Sequence, residues 1–243
     1  MATVASQTPV FSVVRSAERA HASHGWLDTY YSFSFADYVD PQNLNWGALR
    51  VFNDDTIAPA GGFPTHPHRD MEIVTYVLSG ELAHRDSMGN HGVVGPGGIQ
   101  FMSAGTGVSH SEFNDSADEP LHLVQMWVLP RRLGTPPSYG QMAFTSDERW
   151  NRWLTLVSGE PDVDAPIAIT QRATLRVARV EGTTLVAEFA PKRYGFLFVA
   201  GGQVEANGES LRAGDSVRLY DVARLAVSGN GELVLWDLPA VTR

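Results

Sequence analysis

Apolar and β-branched residues in this chain come in short runs, and Gly, Pro, Asn or Asp closes nearly every run. Met71–Leu78, Leu82–Arg85, Ile99–Ser103 and Leu121–Leu129 are separated by Ser79-Gly80, Ser87-Met88-Gly89-Asn90 and Gly95-Pro96-Gly97-Gly98. Runs of that length, so punctuated, predict an all-β sandwich or barrel. Helical signals are confined to Ser16–His24 and Ser146–Leu154, each long enough for a few turns only. A hydrophobic content of 43% supplies a buried core and argues against wholesale disorder.

The punctuation divides the chain. Pro130, Gly134, Pro136, Pro137 and Gly140 mark a connection, after which a second strand series begins. Thr174–Val180, Thr184–Phe189 and Tyr194–Val199 read as strands, as do Arg224–Val227 and Glu232–Leu238. Asn207-Gly208 inside Val204–Leu211 is a strong hairpin signal. Two β-units of similar size are expected, residues 1–135 and 136–243. No residue-level repeat relates them.

Composition narrows the chemistry. The chain has no Cys, which excludes disulfides, thiolate zinc sites, iron–sulfur ligation and Cys nucleophiles. All eight histidines lie between His21 and His122, so an imidazole site belongs to the first unit. The net charge of −9, with no Lys/Arg run, argues against direct nucleic-acid binding. No stretch is apolar enough to span a bilayer, and the N-terminal MATVASQTPV lacks a secretory pattern. A soluble, cytoplasmic protein is expected.

Two clusters carry chemistry. In His66-Pro67-His68 the two imidazoles share one face of a strand, because side chains two apart point the same way. His110 and Glu112 share a face for the same reason. Three imidazoles and one carboxylate suit a divalent first-row ion such as iron, manganese, cobalt, nickel, copper or zinc, and suit calcium or magnesium poorly. Such a site keeps a net positive charge and attracts an anionic oxygen, such as an enolate. Glu72 has the parity of His66 and His68 if their strand continues.

The remaining histidines have blander readings. His84 fits a structural or surface hydrogen-bonding role, His21 and His24 fit the surface, and His91 an exposed turn. His122 reads as a satisfied wall residue. Gln125 shares parity with Leu123 and Trp127 and so faces inward. Trp26, Phe33, Phe35, Trp46 and Phe52 read first as core. Phe63 and Met102, next to the metal-bearing segments, are the better candidates for a flat aromatic pocket.

Several segments together closely resemble the pirin family. They are Phe63–Glu72 (FPTHPHRDME), Thr75–Glu81 (TYVLSGE), His84–Asn90 (HRDSMGN) and Gln100–Asn114 (QFMSAGTGVSHSEFN), preceded by Gly25–Asp28, Ser32–Phe35 and Leu49–Asp55. The resemblance runs from about Arg15 to Pro130, and the second half is similar in outline to the C-terminal barrel of bacterial pirin-like proteins. It implies a bicupin: an N-terminal metal-binding cupin barrel (1–135) and a C-terminal cupin-like barrel without a metal site (136–243). It also implies that His66, His68, His110 and Glu112 hold the metal, with iron as Fe(II) the expected ion. Glu72 then becomes a group that orients an imidazole. The sequence departs from the family at Tyr31, where many relatives carry His.

Bacterial members of this kind are similar to quercetin 2,3-dioxygenases. The implied activity is O2-dependent ring cleavage of a flavonol-like substrate, with Glu112 as the catalytic base that takes the enolic proton. The alternative that the resemblance carries is a metal- or redox-sensing regulator acting through a protein partner. The bicupin fold leads us to expect a monomer.

Overall fold

The computed structural model describes residues 8–241; part of the N-terminal stretch read for a leader lies outside them. Among the described residues there are nineteen strands and two short 3-10 turns. In the first half the strands are β1 (Val10–Val14), β2 (Ala20–Ser23), β3 (Leu27–Tyr31), β4 (Leu49–Ile57), β5 (Gly62–His68), β6 (Glu72–Ser79), β7 (Leu82–Asp86), β8 (His91–Val94), β9 (Ile99–Ser103), β10 (Val108–Asn114), β11 (Leu121–Val128) and β12 (Ser138–Met142). The second half holds β13 (Leu154–Ser158), β14 (Ile167–Ala168), β15 (Thr174–Glu188), β16 (Tyr194–Ala206), β17 (Glu209–Arg212), β18 (Ser216–Tyr220) and β19 (Arg224–Leu238).

The expected helical stretches shrink to single 3-10 turns, Ser16–Glu18 and Asp147–Arg149. Neither segment carries an apolar stripe long enough to hold a helix against the sheets, and β2 begins two residues after the first turn.

A seven-stranded sheet, ordered β12-β9-β6-β11-β4-β3-β2, and a four-stranded sheet, ordered β5-β10-β7-β8, build the first cupin unit. The second unit is one sheet, ordered β1-β18-β16-β19-β15-β13-β14, with β17 on β16. Two strands cross the division expected at 135/136. β1 pairs with β18 of the second unit, and β12 pairs with β9 of the first.

The two long strands β15 and β19 absorb pairs that read as separate strands in the sequence. Gly182 takes φ +65 at a register shift between Glu181 and Thr183, so β15 passes through the break without losing its partner β19. The Asn207-Gly208 hairpin forms as expected between β16 and β17, with φ +47 and +90 at the two residues.

Alternation along the seven-stranded sheet positions the site. Phe52, Val74, Tyr76, Val124 and Met126 point out of the first unit and join Leu175, Val177, Phe196, Phe198 and Trp236 in one buried cluster. That cluster joins the two units, and the indole N–H of Trp236 points at the sulfur of Met126, 3.0 Å away. Leu27, Ile57, Val77, Leu121 and Leu123, on the opposite parity, fill the base of the first unit. At the next level of that inner face, five cross-strand neighbours run in a row: Gln100, Thr75, Gln125, Asn53 and Tyr31. All five are buried. An inward polar row above an apolar base marks the functional face.

Candidate metal centre

His66 and His110 face each other across the β5–β10 pairing, where they are register partners. Between His110 and Glu112 the register slips by a bulge, so that Glu112 stands opposite Phe63 and Phe113 opposite Gly62. A side chain at Gly62 would meet the carbonyl oxygen of Glu112 at 2.4 Å, so only glycine allows the strands to approach there. Ring centres lie 4.5 Å apart for His66–His110 and 4.8 Å for both His66–His68 and His68–His110.

The nitrogen atoms show what these rings are set to bind. His66 Nδ1 donates to the carbonyl of Pro64 at 2.8 Å, which fixes the tautomer and leaves a lone pair on Nε2. That Nε2 stands 3.1 Å from His110 Nε2, and one ligand atom each from His66, His68 and His110 falls within 4.8 Å of the others. Burial, then the neighbouring His66, pushes the His68 pKa down to about 4. Burial, followed by His66, His68 and His84, pushes His110 down to about 2. Neutral imidazoles whose ring nitrogens converge are the donor set of a divalent transition ion, so the residues fit such an ion.

Glu112 is buried and both of its oxygens are taken by amides. Gln100 donates to Oε1, and Gln125 Nε2 donates to Oε2 at 2.7 Å. Trp127 Nε1 in turn donates to Gln125 Oε1 at 3.1 Å, which orients the amide. These bonds cross from the seven-stranded sheet to the four-stranded one. Burial outweighs the two amides and raises the Glu112 carboxyl to about 7.

The four residues singled out in the sequence are therefore placed in two overlapping groups. His66, His68 and His110 form one; His84, His110 and Glu112 form the other, within the same 4.8 Å limit. His84 is buried at the back of the site with its ring stacked on Tyr139 at 4.3 Å, so of the structural and surface roles open to it the surface one falls away. Reading β7 with the same parity rule would have found it, because His84 is the register partner of Glu112.

Glu72 is a second correction. The chain turns at Asp70, where φ is +49, and β6 starts afresh at Glu72, so parity with His66 and His68 is lost. Its carboxylate instead accepts the backbone N–H groups of Thr170 and Gln171 in the second unit. His122 is the satisfied wall residue expected, with Nε2 2.7 Å from Asp54 Oδ1. Asn114 donates to the carbonyls of Ile57 and Glu119 and holds the end of β10.

In front of the imidazoles lies a cavity of about 230 Å3. Tyr31, Phe35, Phe63 and Trp127 form its aromatic wall, and Thr29, Asn53 and Asp55 form a polar one. Phe63 is thus where the sequence put it, while Met102 is buried with Ile73, Ala104 and Val108 instead. Tyr31 lines the cavity and stacks on Tyr38. Asp55 was not singled out in the sequence; burial raises its carboxyl to about 7.

A sequence model named Pirin matches residues 13–128. A curated relative from Caulobacter vibrioides, named a pirin-like protein, is 43% identical over 89% of this chain and 94% of its own length. The chain belongs to the pirin family. A second model, the quercetinase C-terminal cupin domain, matches residues 155–238. The Escherichia coli K12 protein named quercetin 2,3-dioxygenase is 42% identical over 93% of this chain and 98% of its own. Among solved structures, the E. coli pirin YhhW in complex with nickel(II) superposes with a TM-score of 0.88 at 38% identity, covering 96% of this chain and all of that one. The fold is thus the pirin bicupin.

Proposed function

We propose that this pirin is a metal-dependent dioxygenase that opens the ring of a flavonol-like substrate with O2. The carrying observation is the convergence of His66, His68 and His110 beside a buried Glu112, at the mouth of an aromatic-walled cavity. The relatives named quercetin 2,3-dioxygenase and the nickel-bound pirin support the same reading.

In this proposal His66, His68 and His110, with Glu112, hold one divalent ion; iron is our first expectation. The ion supplies Lewis acidity toward an enolic oxygen and the chemistry of dioxygen. The chain's own part is to place the reactants. Tyr31, Phe35, Phe63 and Trp127 take the flat rings and keep water from them. Glu112 receives the enolic proton on a carboxylate oxygen. Gln100 and Gln125 hold that carboxylate in one orientation while its charge changes. The cleft is open to the triad, since His66 and His68 are only half-buried while His110 is covered.

The test is metal analysis with a quercetin oxygenation assay on the wild type, His66→Ala and Glu112→Ala. The wild type should hold one metal per chain and consume O2 with quercetin. His66→Ala should lose both. Unchanged turnover in His66→Ala would refute the assignment.

A further inference from the structure

Asp54 and Asp55 are neighbours on β4 with opposite fates. Asp54 points out of the first unit and accepts from Arg19 at 2.8 Å and His122 at 2.7 Å. Asp55 points in, onto the cavity wall that faces the imidazoles, and is 2% exposed. Among the described residues no cation pairs with it, and its Oδ1 has no hydrogen-bond partner. The hydroxyl of its register partner Thr29 sits beside it and counters burial in part, and Asn53 two residues back has an unpartnered carbonyl oxygen.

A buried carboxylate oxygen without a donor is costly, and folded chains rarely leave one so. The wall beside it is made of flat rings, so a ligand that fills the cavity brings an aromatic edge to Asp55. The cavity is about 230 Å3, and Asp55, Asn53 and Thr29 are part of its lining. We propose that Asp55 determines substrate specificity by accepting a hydrogen bond from a ring hydroxyl of the aromatic ligand, at the end away from the oxygen that faces the triad. The preferred ligand class is an aromatic enol with at least one further ring hydroxyl. An acidic substituent at that end is disfavoured by the carboxylate.

The inference rests on the reading of this pocket as the seat of an enolizable aromatic. Its test is binding, not turnover. Metal-loaded protein is titrated without oxygen, at about pH 8 so that carboxyls are ionised. The probes are quercetin, which has ring hydroxyls besides its 3-hydroxyl, and 3-hydroxyflavone, which has only that one. The wild type should bind quercetin about 10- to 100-fold tighter, the worth of one hydrogen bond to a charged acceptor. Asp55→Leu should close the gap to within about threefold, with metal content unchanged; Asp55→Asn, which keeps a neutral acceptor, should fall between. An undiminished gap in Asp55→Leu overturns the proposal. So do equal affinities in the wild type, which decide the matter even if the variants fail to fold. When oxygen is readmitted, tight binding without oxygen uptake counts against the dioxygenase reading and leaves the Asp55 contact standing.

Discussion

Gln125 donates from Nε2 to Glu112 Oε2 at 2.7 Å, across the gap between the two sheets of the first unit. The bond ties the polar row of the large sheet to the strand that carries His110. Gln125→Leu would leave a fully buried carboxylate oxygen without its donor. Partners of this kind typically tune metal affinity 10- to 100-fold, so we expect a loss of about that size in competition with a chromophoric chelator. Equal affinity in the variant would show that the amide only packs.

Metal uptake should release a proton from Glu112. With its carboxyl raised to about 7, the residue is largely protonated at pH 6 and must ionise to face a cation. His68 and His110 are neutral at that pH and have no proton to give. Affinity should therefore fall on acidification below about pH 7, by up to about tenfold per unit from this group. Calorimetry in buffers of different ionisation enthalpy counts the protons. The wild type should release about one more than Glu112→Gln at pH 6, and identical counts would contradict the assignment.

The cluster shared by the two units predicts their joint unfolding. Trp236 is fully buried between Met126 and its own strand neighbours. Trp236→Ala should cost about 3–5 kcal/mol, seen in denaturant titration as a lower midpoint. One cooperative transition is expected for the wild type; two separated transitions would mean that the units fold independently.

Acid should weaken the Arg19–Asp54–His122 contact. Burial raises the Asp54 carboxyl, but the His122 hydrogen bond and Arg19 together outweigh it and hold it below its usual value. The folded chain then keeps Asp54 ionised where the unfolded chain protonates it. Its stabilising share is present above about pH 4 and is lost as pH falls through the folded value. Asp54→Asn should flatten the stability curve below pH 4, and a parallel curve would sink the point.

The clustering of His66, His68 and His110 was legible because period-2 spacing is strict within a strand. His66 and His68 needed no long-range information. Glu72 was misread because one residue, Asp70 at positive φ, resets the parity. The Thr174–Glu188 strand looked like two because Gly182 carries a break signal that the pairing with β19 overrides. Pairing of β1 with β18 spans nearly the whole chain and leaves no local mark. Asp55 stayed hidden beside Asp54, because two adjacent carboxylates look alike until the strand shows which one is inside.

Oxygen uptake measured against quercetin loss tests the central claim most directly. Protein loaded in turn with iron, manganese, cobalt or nickel should, with at least one of them, consume one O2 per flavonol lost and release carbon monoxide in equal amount. His110→Ala should do neither. No uptake with any of the four metals would contradict the account.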